Sequence, residues 1–465
     1  MQVSDHFFLF FFFPLFILLY LLLRTRPFFS NLLIIVSSLL FYASFGLQNL
    51  YILVLPLIVD YFLAIGIDHS KNQKTRRRLL TIGIIFNLLL LGYFKYENFL
   101  LKNLLLLFPG LKALVLLQKD ILLPIGISFI TFQRISYLID TFRRKIKPTK
   151  NIIHYSVYAT LYPHLISGPI VRFSDINKQL AKRTINSEVI FQASKFFALG
   201  LALKVFVADQ LFLVEEALTA NLHLLDTGLA LIFMFYFSFR IYFDFLGYSL
   251  MAMGLAKFMG FDFPANFNSP YQSSSITQFW RRWNITLSSW LRDYLYIPLG
   301  GNRKGKLVTY LNLFITMLLA GLWHGANWNF VLWGALFGVL LIIERAFSSK
   351  FTIKPPQILQ ILYTFLIVSF SWLIFRLSTL ADVSIVLSSL VKFTFNPFSR
   401  HIANILIATV PAIIVAVIWA FFLHERQIPS IKLNVKNATI ICVLFVAAVG
   451  FSLIRRSVPF IYFQF

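Results

Sequence analysis

Acidic side chains are scarce in this chain of 465 residues. Only 18 are Asp or Glu, against 42 Lys or Arg, which leaves a net charge of +24. Charged residues of both signs make up 13% of the chain, about half of what a soluble domain carries. That excludes an ordinary water-facing surface. Cysteine is nearly absent too. The single Cys442 excludes an intrachain disulfide and a cysteine-ligated metal site, and it reads as a small buried hydrophobe. Several catalytic patterns are missing. GISFI at 126–130 lacks the second glycine of a G-x-S-x-G elbow. There is no P-loop, no H-E-x-x-H and no H-x-x-x-x-D. The eight histidines never pair at metal-ligand spacing.

What the chain has instead is apolar sequence, 58% of its residues. Runs such as FFLFFFFPLFILLYLLL at 7–23 and LLTIGIIFNLLLLGYF at 79–94 approach or reach the roughly 17 residues that cross a bilayer as a helix. In lipid the backbone must satisfy its own hydrogen bonds, so runs of this length are helices. The expected fold is all-α and polytopic, with roughly eleven to thirteen membrane-embedded helices, some short and re-entrant or interfacial. Between the runs lie basic clusters: RTR at 24–26, KNQKTRRR at 71–78, RRKIKPTK at 143–150 and NRKGK at 302–306. This is the positive-inside pattern of cytoplasmic loops, and it displaces nucleic-acid binding as the reason for the charge. Asp5 precedes the first run and RTR follows it, the reverse of a cleavable signal peptide, so that run is expected to remain as an anchor.

No repeat and no soluble-sized segment interrupts the chain. We read one membrane domain over 1–465, with N-terminal spans at 1–120, a catalytic core at 121–346 and C-terminal spans at 347–465. The core zone carries Arg134, Asp140, His164, Lys204, Asp209, Arg240, Asp244 and Lys257 within or beside apolar runs. Ionisable groups in a membrane are costly and usually mark function. Arg240 and Asp244 are four apart, which points to a local helix ion pair. Tyr242 and Tyr248 are candidates to line a tunnel.

Two stretches of the core are not ordinary spans. In ITQFWRRWNITLSSWLRDYLYIPLG at 276–300, a helical period puts Thr277, Arg281, Asn284, Ser288 and Arg292 on one stripe. Phe279, Trp280, Trp283, Leu287, Trp290 and Tyr294 fall opposite. This reads as one amphipathic helix, either at the interface or tucked into the protein. Arg292 and Asp293 read as a structural pair. The second stretch is GLWHGANWNF at 321–330, a polar break between apolar runs. Gly321 and Gly325 flank His324 and allow another backbone or a substrate to approach closely. His324 is either a hydrogen-bonded structural residue or a base: an imidazole takes a proton near neutral pH, and burial disfavours its charged form. Asn327 and Asn329 are nearby donors. With the other chemistries excluded, a base-plus-donor site suits transfer of an activated acyl group to a hydroxyl.

The run IYFDFLGYSLMAMGLAKFMGFDFPANFNSPYQSSSITQFWRRWNITLSSWLRDYLYIPLGGNRKG resembles the membrane-bound O-acyltransferase family, on the branch of the bacterial alginate O-acetyltransferase membrane subunit. NLLLLGYFKYENF at 87–99, LPIGISFITFQRISYLID at 123–140, PHLISGPIVRF at 163–173, LLAGLWHGANWNFVLWG at 318–334 and the terminal PFIYFQF fit the same branch in the same order. The resemblance implies helices around a central tunnel, with His324 of the WHG element as catalytic residue. Asn284 stands where bacterial relatives usually carry histidine, and it is expected to bind the acyl carbonyl or orient substrate. Arg281, Arg282, Trp283, Ser288, Asp293, Trp323 and Asn327 are the expected substrate-binding neighbours. Arg303, Lys304 and Lys306 either attract the phosphates of the donor or form a positive-inside loop. The implied donor is an acyl thioester from the cytoplasm, acetyl-CoA or an acyl carrier, with no permanently bound cofactor and no metal. The implied setting is a bacterial cytoplasmic membrane, its lipid, and a periplasmic or extracellular acetyltransferase partner. D-alanyl transfer to teichoic acid is the neighbouring reading. A transporter without chemistry fits the embedded charges as well, but the halves show no matched broken helices that would favour it.

Overall fold

A computed structural model describes residues 1–110, 123–347, 355–455 and 458–461. The last four residues of PFIYFQF lie outside the described residues. Among the described residues, nine helices are long and apolar enough to cross a membrane. Three shorter apolar helices, Phe8–Leu23, Pro27–Ala43 and Leu380–Val391, add to them, in line with the expected eleven to thirteen embedded segments. The outward faces are apolar: Leu22 is 69% exposed, Ile407 70% and Val446 62%. Lipid is the solvent such faces require, and the chain is a multi-pass membrane protein. Cys442 departs from expectation. It is exposed on the Val435–Ile454 helix, where a thiol serves as one more small lipid-facing group.

The described residues form two compact units: residues 1–190 with 255–264, and residues 191–254 with 265–465. In the first unit, Leu47–His69, Gln73–Leu107 and Ile127–Phe142 pack on one another. Buried polar groups find partners across these helices, as a low dielectric favours. Asn87 donates to Asp60 at 2.9 Å, and the Arg134 guanidinium donates to the Leu53 carbonyl. Gly126 opens the Ile127–Phe142 helix at φ 75°, and a Cβ there would meet the Leu165 carbonyl oxygen at 2.0 Å.

In the second unit, Gly200 and Gly247 bring two long helices into backbone contact; a Cβ on Gly200 would meet the Gly247 oxygen at 2.5 Å. The expected Arg240–Asp244 pair does not form. Arg240 pairs with Glu215, which also takes Arg376. Asp244 pairs with Lys204 at 2.6 Å, and Lys204 reaches Asp209 at 2.7 Å. Two buried groups on one helix each find a counter-ion on a neighbouring element. Such pairing joins helices, and a local pair would not.

Candidate functional site

The Lys306–His324 helix and the Trp328–Phe347 helix form a hairpin whose backbones touch. The residues that permit this are glycines. A Cβ on Gly321 would meet the Phe330 oxygen at 2.1 Å, one on Gly334 the Met317 oxygen at 2.4 Å, and one on Gly338 the Phe314 ring at 2.9 Å. Gly325 leaves the helix in extended backbone, and its missing Cβ leaves room for the Phe330 ring. His324 is therefore the last residue of an embedded helix at a tight turn. Asn327 donates to the Ser378 carbonyl at 2.8 Å and Asn329 to that of Leu377. Both asparagines tie the turn to the end of the Gln357–Arg376 helix.

The His324 ring is 6% exposed. It lies among aromatic rings: Trp323 at 4.9 Å, Phe375 at 5.0 Å and Trp333 at 5.2 Å between centroids. Trp333 stacks on Trp372 at 5.7 Å, and Trp372 meets Trp283 at 4.9 Å. A chain of rings thus runs from the imidazole to the residue beside Asn284.

The stretch at 276–296 is not one amphipathic helix. It is Ile276–Arg282, then a break, then Ile285–Leu291 running into a wider turn at Arg292–Tyr296. Asn284 stands in the break at φ 41° and ψ 57°, a left-handed conformation that asparagine tolerates better than most residues. The break is held from upstream. Asn268 N–H donates to the Arg282 carbonyl at 3.0 Å, and Ile285 N–H to that of Asn266 at 2.9 Å. Thr286 adds a hydroxyl bond to the Asn266 side chain at 2.6 Å. Asn284 is 1% exposed, and neither atom of its amide has a hydrogen-bond partner among the described residues. An unsatisfied buried amide is unfavourable in itself.

The hairpin and the broken helix line a cavity of ≈ 700 Å³. Of the residues expected from sequence, it brings together His324, Arg281 and Ser288, and Arg292 of the polar stripe joins them. Asn284, Arg282, Trp283, Asp293, Trp323 and Asn327 are not in its wall. Arg282 donates instead to the Ser269 and Gln272 carbonyls, at 3.3 and 3.4 Å. Trp283 is buried in the ring cluster. Asp293 accepts from Arg292 at 2.7 Å, the expected structural pair, and it holds that guanidinium above its ordinary value. Arg303, Lys304 and Lys306 are exposed and outside the wall. Tyr242 and Tyr248 line no part of it; Tyr242 donates to the buried Glu425.

Sequence reasoning missed Glu344, Arg345, Tyr296, Ser289 and Thr316, all in the wall. A signal existed. Leu313, Thr316, Met317, Ala320 and His324 recur at helical spacing and form one face. Glu344 accepts the N–H of Ile276 at 2.7 Å, which pins the arginine-bearing helix to the hairpin. Arg345 lies toward the end of the hairpin opposite His324. The face from Leu313 to His324 spans about 16 Å. Among the described residues, no group of three His, Cys, Asp or Glu is placed to hold a metal. Such a cavity presents an imidazole at one end, hydroxyls along its side and guanidinium groups elsewhere. It can move a proton and bind an anion.

The sequence profile of the membrane-bound O-acyltransferase family matches residues 70–381. A probable alginate O-acetylase of Pseudomonas putida is 38% identical over 462 residues, covering 94% of this chain and 95% of its own. A peptidoglycan O-acetyltransferase of Helicobacter pylori is 36% identical over 402 residues, covering 79% of this chain and 74% of its own. More distantly, a teichoic acid D-alanyltransferase of Streptococcus thermophilus is 30% identical over 245 residues, covering 49% of this chain and 58% of its own.

Proposed function

The chain belongs to the membrane-bound O-acyltransferase family, and from that premise we propose that it moves an acetyl group from a cytoplasmic thioester to a hydroxyl of a polysaccharide outside the bacterial cytoplasmic membrane. His324 is the general base. Its imidazole takes the hydroxyl proton as the oxygen attacks the thioester carbonyl. The tetrahedral oxyanion is stabilised by donors in the same wall, of which the Ser288 hydroxyl is the first candidate. The carbon–sulfur bond then breaks, and the thiolate takes the proton back from the imidazolium. The observation that carries the reading is the position of His324 in the wall of a cavity whose other end holds Arg345, with Arg281 and Arg292 also lining it. Guanidinium groups suit the phosphates of acetyl-CoA or of a phosphopantetheine carrier. The arm between thioester and phosphate must then be long, as the wall is.

The acceptor class is supported by the relatives named for alginate and peptidoglycan O-acetylation, which match far more of the chain than the D-alanyl-transferring one. A secreted acetyltransferase is the expected partner in handing the group to the glycan. The test uses the full chain in liposomes, with labelled acetyl thioester on one side and polysaccharide on the other. His324→Ala, with its unfolding temperature unchanged, is expected to lower transfer by about 10²-fold or more. Unchanged transfer removes the histidine from the mechanism. Intact donor crossing the bilayer, with no label on the polysaccharide, would make the protein a transporter.

A further inference from the structure

The first unit contains a second cavity, of ≈ 490 Å³, at the turn between the Phe8–Leu23 and Pro27–Ala43 helices. Arg24 and Thr25 come from that turn; Lys182, Arg183 and Thr184 come from the loop after the Phe173–Ala181 helix. Three cations line it and no carboxylate does. Arg183 is built into place. It donates to the Ser30 hydroxyl at 2.9 Å, and its guanidinium lies 4.9 Å from the Phe261 ring centroid and 5.9 Å from that of Tyr20. Its Nη1 is nonetheless buried without a hydrogen-bond partner among the described residues. A buried N–H of a guanidinium is costly to leave unmade, and the acceptor that suits it best is an anionic oxygen.

The surroundings indicate where that anion comes from. The turn joins two apolar helices, so it sits at the depth of lipid headgroups. The outward residues around it are Leu22, 69% exposed, Phe28, 56%, and Phe29, 48%. A cationic pocket beside an acyl-facing surface is the arrangement that holds an acidic headgroup.

We propose that this cavity binds the phosphate of an anionic phospholipid, with Arg183 as the fixed anchor, Arg24 and Lys182 as flanking cations, and the acyl chains along Leu22 and Phe28. The site lies outside the acyl-transfer cavity, so neither reading depends on the other. The test is native mass spectrometry of the full chain, titrated with phosphatidylglycerol, with phosphatidylcholine, or with inorganic phosphate as competitor. Arg183 packs between two rings, and Arg183→Gln risks misfolding. The exposed pair Arg24→Gln/Lys182→Gln is therefore run beside it, each variant checked for an unchanged unfolding temperature. The expected result is that phosphatidylglycerol binds at least tenfold more weakly to the double variant, with phosphatidylcholine binding and acetyl transfer unchanged. Equal phosphatidylglycerol binding by wild type and both variants would overturn the proposal. Displacement of the lipid by millimolar phosphate alone would overturn the lipid as the source of the anion.

Discussion

Glu344 accepts the backbone N–H of Ile276 at 2.7 Å and that of Thr277 at 3.2 Å. A carboxylate from the end of one helix thus satisfies two orphan donors at the start of another, and its charge complements the positive end of that helix. The bond sets where Arg281 stands in the cavity relative to the hairpin. Glu344→Ala is expected to cost about 1–2 kcal/mol of stability, read as a lower unfolding temperature. Glu344→Gln keeps an acceptor and should lose less. Equal unfolding temperatures for wild type and Glu344→Ala would show that the bond positions nothing.

Asn284 can be separated into its backbone and its amide. Glycine accepts φ 41° without strain, whereas alanine there costs roughly 1 kcal/mol. Asn284→Gly therefore removes only the amide, and Asn284→Ala removes the amide and strains the break. The glycine variant is expected to keep its unfolding temperature and most of its acetyl transfer, because the amide stands outside the wall of the cavity that holds His324. A loss of about 10²-fold in Asn284→Gly would put the amide into the reaction as an oxyanion donor.

The membrane class and the family were legible because each is a local property: run length, charge between runs, motifs of consecutive residues; the place of His324 in the cavity wall was legible in the same way, as a polar break between apolar runs. The break at Asn284 was not. The polar stripe from Thr277 to Arg292 keeps its helical period straight through it, and the cause lies upstream, in Asn266 and Asn268 pairing with the backbone of Ile285 and Arg282. The Arg240–Asp244 pair failed for a related reason. Spacing offers Arg240 only Asp244, while packing offers it the buried Glu215. NRKGK was conspicuous as a cluster, yet its side chains are exposed. The cations that line the cavity are Arg281, Arg292 and Arg345, scattered through apolar sequence.

The hairpin should be intolerant of the smallest side chain. Gly321→Ala would place Cβ 2.1 Å from the Phe330 oxygen, and Gly334→Ala 2.4 Å from the Met317 oxygen. Both obstacles are backbone, so the helices must part, at a cost of about 1–3 kcal/mol. His324 moves with its helix. Each variant is expected to lose both stability and transfer. Gly110→Ala, which meets nothing within 4 Å, is the control and should lose neither. Wild-type stability in Gly321→Ala would mean that the two helices do not pack as described.

The arginines of the cavity and the basic loop at 302–306 make opposite predictions about the donor. If Arg281 and Arg345 bind donor phosphate, replacing each by glutamine removes a charged hydrogen bond of about 1.5–3 kcal/mol. The KM for acetyl-CoA should rise by tenfold or more, with kcat little changed. A short acetyl thioester with no phosphate should show no such rise, because it makes no contact with the guanidinium groups. Lys304→Gln/Lys306→Gln should leave both KM values alone, since those side chains lie outside the wall. The reverse result, a KM that follows the lysines and ignores the arginines, would move the donor's phosphates to the exposed loop. The ~16 Å face leading to His324 would then be left without a donor to fill it.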